Sequence, residues 1–151
     1  IIIITHFKTF LLLSFLFIQS CAKPDLVTSD NSKIYLDDLK GKLTLINYWA
    51  DWCPPCIKEI PELNKLKNNF SSQVNVFLFN FDRLEGEELS EQLVKFKVEV
   101  PSLLTDPKKI FGYIVPEALP VSFIIDENGQ YLKTLKGPQT LDSLKIALEI
   151  N

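Results

Sequence analysis

Two cysteines separated by two prolines are the residues of this sequence whose types and spacing point most directly to chemistry. Cys53 and Cys56 lie in the segment NYWADWCPPCIKEIP, residues 47–61. Positions i and i+3 share one side of a helix, and a helix starting at Cys53 places its sulfur among unpaired N–H groups with partial positive charge. Those surroundings favour the thiolate, which is the reactive form of cysteine. We predict that Cys53 is the nucleophile of a thiol-disulfide exchange and that Cys56, one turn inside the helix, is the resolving thiol.

Other uses of the cysteine pair fit the sequence less well. A structural disulfide over so short a loop removes little chain entropy, and it would be the only crosslink of the domain. A zinc site needs about four ligands, and a cysteine hydrolase needs an imidazole, yet the single histidine, His6, lies near the N-terminus. A non-catalytic Cu(I) carrier stays open as an alternative, although no third ligand from methionine or histidine follows residue 6. For the exchange chemistry itself we expect no metal site.

The elements that must position the cysteines alternate between strand and helix. Proline is tolerated in a first helical turn, so Pro54 and Pro55 are compatible with a helix that begins at Cys53. Apolar runs predict two buried strands, and apolar residues at helical spacing predict the helices. The predicted strands are residues 43–49, 74–81, 121–126 and 130–137, and the predicted helices are residues 53–69, 86–98, 107–112 and 140–150.

The order of these elements predicts an α/β fold. A strand-helix-strand unit with a right-handed crossover, followed by a helix, a hairpin and a last helix, gives a mixed central β-sheet with helices on both faces. In the hairpin, Asn128 and Gly129 are predicted to supply the positive φ angles of the turn.

Composition and the N-terminal segment limit the classes of function. The chain has 151 residues, 46% of them hydrophobic, and a net charge of -3 with Lys and Arg dispersed, so we expect one globular domain and no nucleic-acid partner. Residues 1–20 predict a signal peptide, since a short apolar run follows His6 and Lys8. The residues before Cys21 resemble a lipoprotein processing box, which predicts a lipidated Cys21, a tether over residues 21–32 and a folded domain over residues 33–151. An uncleaved membrane anchor is the alternative.

The segments LTLINYWADWCPPCIKEIP, ALPVSFIIDENG and IYLDDLKGK together resemble the thioredoxin-like proteins, and among them the exported TlpA and ResA type. The resemblance extends over nearly the whole chain from about Lys33. It implies a thioredoxin-like fold and a thiol-disulfide oxidoreductase whose redox group is a Cys53–Cys56 disulfide, with no separate cofactor. Asn47 stands where cytoplasmic thioredoxins usually have aspartate, so this chain looks like the exported branch.

Glu59 is the predicted partner of the cysteine pair. Spacing alone places it on the same side of the helix as Cys56, where a solvated carboxylate is the simplest interpretation. The resemblance implies instead that this glutamate interacts with the cysteines. A partly buried carboxylate would have a raised pKa and could take the proton of Cys56 during exchange.

The resemblance also implies a substrate-docking surface. Sequence alone favours a trans bond between Leu119 and Pro120, whereas the family has a cis proline beside the cysteines. There the backbone of Leu119 would pair with an extended substrate segment. Trp52 would form an apolar shoulder of this surface, the alternative being an aromatic ring that fills space beside the helix start.

Taken with the N-terminal pattern, the resemblance implies a membrane-tethered reductase outside the cytoplasm. Its implied substrates are disulfides of specific exported proteins, such as apocytochrome c during haem attachment. A membrane thiol-electron transporter of the CcdA or DsbD type would supply the electrons. A disulfide oxidase or isomerase is the alternative within the same chemistry.

Overall fold

The computed structural model describes residues 23–151, which form seven strands and five helices. The predicted signal peptide and Cys21 lie outside the described residues. In chain order the elements are β1 (Leu26–Val27), β2 (Lys33–Ile34), α1 (Leu36–Leu39), β3 (Leu43–Trp49), α2 (Pro54–Asn69), β4 (Val74–Asn80), α3 (Gly86–Lys95), β5 (Ser102–Leu103), α4 (Lys108–Phe111), β6 (Val121–Ile125), β7 (Tyr131–Lys136) and α5 (Leu141–Leu148). Each helix among residues 23–151 is too short or too polar to span a lipid bilayer.

Five of the strands form one mixed sheet in the order β5-β4-β3-β6-β7. Strands β3, β4 and β5 are parallel, while β6 runs antiparallel to β3 and β7 antiparallel to β6. The sheet confirms the predicted α/β class and the mixed strand directions. Its central strand is β3, whose C-terminal end leads directly to Cys53.

Alternate side chains of β3 pack into two separate parts of the core, one on each face of the sheet. On β3, Leu45 and Trp49 pack on one face, against α2 and α5, while Ile46 and Tyr48 pack on the other, where α1 and α4 lie. Because both faces are covered, β3 and β4 are almost continuously apolar, and they lack the alternation of a half-exposed strand.

The hairpin turn differs in detail from the prediction. Of the two turn residues, only Gly129 has a positive φ, at 83°. The connection is longer than a two-residue turn: the Asp126 N–H donates to the Gln130 carbonyl, and the Asp126 carboxylate accepts the N–H groups of Asn128 and Gln130. With the turn held by Asp126, one left-handed residue suffices, and the prediction for Asn128 was wrong.

The folded part begins earlier than the predicted boundary at Lys33. Strands β1 and β2 form an antiparallel hairpin, and Leu26 is fully buried. Two hydrogen bonds of Val27 dock this hairpin beside β5: its N–H donates to the side-chain Oγ1 of Thr105 at 3.0 Å, and its carbonyl accepts from the Leu104 N–H at 2.8 Å. The polar composition of this segment suggested a tether, but the segment covers the edge of β5. Covering a strand edge requires backbone N–H and carbonyl groups, which a polar segment also has.

Candidate active site

Cys53 and Cys56 form a disulfide at the start of α2, with Cα atoms 5.3 Å apart. Cys53 is the residue that caps the helix, and its N–H donates to the Ala50 carbonyl in the loop after β3. Both residues are buried, Cys53 at 4% exposure and Cys56 at 1%. The order of exposure agrees with the prediction that Cys56 is the more enclosed thiol.

The hydrogen-bond donors near Cys53 are limited by the two prolines. The Cys56 N–H donates to Cys53 Sγ at 3.3 Å. Pro54 and Pro55 occupy the first turn of α2 and carry no N–H, so neither can donate a hydrogen bond to this sulfur.

Glu59 lies one helical turn after Cys56 and is buried, with 1% of its surface exposed. Its two oxygens accept hydrogen bonds from different parts of the fold: Oε2 from Asn47 Nδ2 and Oε1 from the Gln139 N–H, each at 3.0 Å. Burial raises the pKa of Glu59 to about 7, and these two hydrogen bonds oppose that rise. The interpretation as a solvated carboxylate is therefore wrong.

Asn47 and Ser122 form a polar pair in the middle of the sheet beside Glu59. They are partners in the β3–β6 register, and Asn47 Nδ2 donates to Ser122 Oγ at 2.9 Å. Sequence reasoning singled out Asn47 only as a departure from other thioredoxins and did not identify Ser122 or Gln139. The sequence did contain a signal for Asn47 and Ser122, because a polar residue inside a buried apolar strand needs a hydrogen-bond partner.

The Leu119–Pro120 peptide bond is cis, as the resemblance implied. Val121 pairs with Tyr48 in the antiparallel β3–β6 register, so Pro120 lies at the end of β3 from which the chain continues to Cys53. Pro120 is buried and Leu119 is half-buried against both parts of the core. The structure thus brings Leu119 and Pro120 to the same edge of the sheet as the disulfide.

Trp52 directly precedes Cys53 and is 57% exposed. Its indole Nε1 donates to Asp82 Oδ2 at 2.6 Å, and its ring meets Phe81 edge-on with centroids 6.1 Å apart. The residue is more than half exposed and its ring also packs beside the start of α2, so both interpretations of Trp52 stay predictions. Sequence analysis missed Asp82, whose role depends on how the loop after β4 approaches the loop after β3.

These groups together suit sulfur exchange. A disulfide at a helix start adjoins an exposed aromatic ring, and a buried carboxylate that can gain or lose a proton near neutral pH lies one turn away. Within residues 23–151, no three Cys, His, Asp or Glu side chains converge as metal ligands.

Comparison with known proteins places this chain beside enzymes of the same chemistry. Residues 16–148 match the Redoxin family. The chain is 34% identical over 125 residues to the thiol-disulfide oxidoreductase ResA of Bacillus cereus, covering 81% of this chain and 72% of that protein. It is 30% identical over 131 residues to ResA of Geobacillus thermodenitrificans, covering 83% of this chain and 74% of that one.

Solved structures share the fold. The crystal structure of StoA from Bacillus subtilis matches with a TM-score of 0.65 and 27% identity, over 80% of this chain and 92% of that chain. The pneumococcal exposed lipoprotein thioredoxin from Streptococcus pneumoniae matches with a TM-score of 0.68 and 21% identity, over 82% and 96% of the two chains. The second likeness concerns the fold alone.

Proposed function

The chain belongs to the Redoxin family and is a thiol-disulfide oxidoreductase, and from that premise we propose that it reduces disulfides of specific exported proteins while tethered to a membrane. The observation that carries the proposal is the Cys53–Cys56 disulfide at the start of α2, with Glu59 buried one turn away. Its proposed substrates are protein disulfides, since a thiol-disulfide oxidoreductase exchanges disulfides with thiols.

The proposed reaction starts from the reduced protein. The Cys53 thiolate attacks one sulfur of the substrate disulfide, that bond breaks, and the second substrate sulfur leaves as a thiolate. A mixed disulfide now joins Cys53 to the substrate. The Cys56 thiolate attacks Cys53 Sγ, the substrate leaves with its second thiolate, and the Cys53–Cys56 disulfide forms. Two electrons pass to the substrate, whose thiolates take up two protons.

Glu59 takes the proton that Cys56 must lose before its attack. The buried carboxylate has a pKa of about 7, so at neutral pH it is present in both protonation states and can accept or return a proton. While it is ionised, before it takes that proton, it disfavours a second negative charge nearby, so the Cys56 thiolate forms only as Glu59 becomes protonated.

Leu119, Pro120 and Trp52 form the proposed docking surface. An extended substrate segment pairs with the backbone of Leu119, in the manner of an added strand, and rests against the exposed ring of Trp52. Backbone pairing gives affinity without demanding one sequence, and the aromatic ring favours apolar residues beside the substrate cysteine.

Membrane attachment is proposed from the sequence pattern of residues 1–21. Lipid attached to Cys21 after cleavage of the signal peptide would hold the domain at the extracytoplasmic face of the membrane. There it would receive electrons from a CcdA- or DsbD-type transporter and act on proteins such as apocytochrome c. Cys21→Ser should abolish lipid labelling and processing, whereas an unchanged mature mass would indicate an uncleaved anchor.

Trapping of partner proteins tests the proposed substrates and the roles of the two cysteines. Cys56→Ala, expressed in cells in the full chain, should accumulate mixed disulfides with exported proteins that dithiothreitol releases. Cys53→Ala is the matched control and should accumulate none. Equal trapping by both variants would contradict the assigned roles, and the absence of exported partners would contradict the proposed substrate class.

A further inference from the structure

Asn47 uses both hydrogens of its side-chain amide inside the core. The residue is 1% exposed, and its Nδ2 donates to Glu59 Oε2 at 3.0 Å and to Ser122 Oγ at 2.9 Å. An amide nitrogen has two hydrogens, so both are engaged. The flipped amide would turn its carbonyl oxygen towards the carboxylate, where two acceptors would face each other. The orientations of the Asn47 amide and the Glu59 carboxylate therefore depend on each other.

The second oxygen of Glu59 is held from another direction. The Gln139 N–H, in the loop before α5, donates to Oε1 at 3.0 Å. A backbone N–H and an amide NH₂ can only donate, so both contacts favour the ionised carboxylate over the protonated one. Hydroxyl partners could reverse their role and would lack this preference.

We infer that Asn47 is a positioning residue for the exchange reaction: it fixes the orientation of Glu59 and, together with Gln139, lets this buried carboxylate ionise. The inference rests on the proposed role of Glu59 in taking the proton of Cys56. In a core without these donors, burial alone would keep Glu59 protonated at neutral pH, and it could not accept that proton.

The other groups around Glu59 add no charge that would override this effect. Ser122 faces the pair from β6 and is neutral. On α2, Cys56 lies one turn before Glu59 and is in the disulfide, and Glu62 lies about one turn after it, bound to Lys65 and to the Leu141 N–H. None of the ion pairs of residues 23–151 involves Glu59. Asn47 is therefore the side chain through which its ionisation can be altered.

The direct test follows the titration of Glu59 by carboxyl carbon NMR in the oxidised full chain. Asn47→Leu keeps the approximate size and removes the donor, so the ionisation constant of Glu59 should fall about tenfold, the effect of one lost hydrogen bond to a charged group. Ser122→Ala is the matched control, because it removes the other partner of Asn47 and leaves the donor to Glu59 in place. An unchanged Glu59 titration in Asn47→Leu would overturn the inference.

A second variant covers the case in which Asn47→Leu fails to fold. Asn47→Asp retains size and polarity but places a second carboxyl about 3 Å from Glu59, and such a pair shares one proton. Its titration should split into two separated steps. A single step at the midpoint of the unaltered protein would overturn the inference.

The link to the reaction is tested by alkylation of the reduced cysteines across pH. Asn47→Leu should displace this profile, and in a Glu59→Gln background it should have no effect, because the residue acts through Glu59. An equal displacement in both backgrounds would overturn the inference. A displaced Glu59 titration with an unchanged alkylation profile would support the link between Asn47 and Glu59 and would overturn the proposed role of Glu59 instead.

Discussion

The backbone N–H of Gln139 donates a 3.0 Å hydrogen bond to the carboxylate of Glu59, 80 residues earlier in the chain. Two residues later the Leu141 N–H donates to Glu62 Oε2 at 2.8 Å. Two glutamates of α2, about one turn apart, thus hold the start of α5. The carboxylate of Glu59, three residues after Cys56, is therefore also part of the packing between α2 and α5.

Glu59→Gln should alter the pH dependence of stability. The pKa of Glu59 is raised from 4.5 to about 7, so between these values the folded protein holds a proton that the unfolded chain has released. The free energy of unfolding should therefore decrease as pH rises from 4.5 and level off above pH 7, by up to about 3 kcal/mol. Glu59→Gln lacks this titration, so the free energy of unfolding of the oxidised unaltered protein should fall by that amount relative to that of the oxidised variant across the range.

Urea unfolding of both oxidised proteins at several pH values measures this difference. Glu62→Gln is the matched control, because Lys65 and the Leu141 N–H lower the pKa of Glu62 and place its effect below pH 4.5. A difference between Glu59→Gln and the unaltered protein that is constant from pH 4.5 to 8 would show that Glu59 titrates normally.

Asp82→Ala should weaken the docking of protein substrates. The change removes the 2.6 Å hydrogen bond that holds the Trp52 indole, so this exposed ring is held by its edge contact with Phe81 alone. KM for a protein disulfide should rise severalfold, since a loss of about 1 kcal/mol corresponds to a factor of about five. The rate of reduction by dithiothreitol, which needs no docking surface, should stay the same.

Asp51→Ala serves as the control for Asp82→Ala, because Asp51 is exposed beside Trp52 and does not bond its indole. Acrylamide quenching of tryptophan fluorescence should increase in Asp82→Ala and not in Asp51→Ala. Equal KM values for the two variants would show that the bond from Trp52 to Asp82 does not contribute to substrate binding.

Leu26→Ala should destabilise the domain by about 2–5 kcal/mol, as expected for a fully buried leucine. Val27→Ala, at the half-buried neighbouring position, should cost clearly less. Thermal or urea unfolding measures both. If Leu26→Ala had no effect, the segment before Lys33 would behave as the tether that its composition suggested.

The strands and helices that carry the cysteines were predictable because their patterns are local. Buried parallel strands give continuous apolar runs, as in β3, and the helix after Cys53 is marked by proline in its first turn and by apolar residues at helical spacing. The N-terminal hairpin was not predictable in this way. Val27 and Thr28 bond to Thr105 and Leu103, more than seventy residues later, and no local pattern predicts these contacts. Leu26, between Asp25 and Val27, joins the core on the same side of the sheet as Leu103.

In the candidate site, too, features set by neighbouring residues were predictable, and features set by distant parts of the chain were not. The cysteine spacing identified the reacting sulfurs, and the resemblance indicated Glu59 and the cis peptide bond before Pro120. The surroundings of Glu59 come from three separated parts of the chain, at Asn47, Ser122 and Gln139. The Gln139 contact uses a backbone N–H, which every residue except proline possesses, so side-chain identity could not reveal it.

The reducing direction of the proposed reaction follows from the groups around Cys53. A dithiol is a strong oxidant in its disulfide form when the protein stabilises the thiolate. Here Pro54 and Pro55 withhold two N–H donors, and an ionised Glu59 disfavours further negative charge, whereas the start of α2 acts in the opposite sense. The missing N–H donors and the charge of Glu59 together favour the disulfide over the dithiol. The reduced protein should therefore readily give its electrons to substrates.

Equilibration of the purified domain with defined glutathione or dithiothreitol buffers at pH 7, with quantification of reduced Cys53 and Cys56, measures this balance directly. For a reductase we expect a midpoint near that of thioredoxin, about -270 mV. A midpoint above about -180 mV, the value typical of protein disulfide isomerase, would contradict a reductase and favour an oxidase or isomerase.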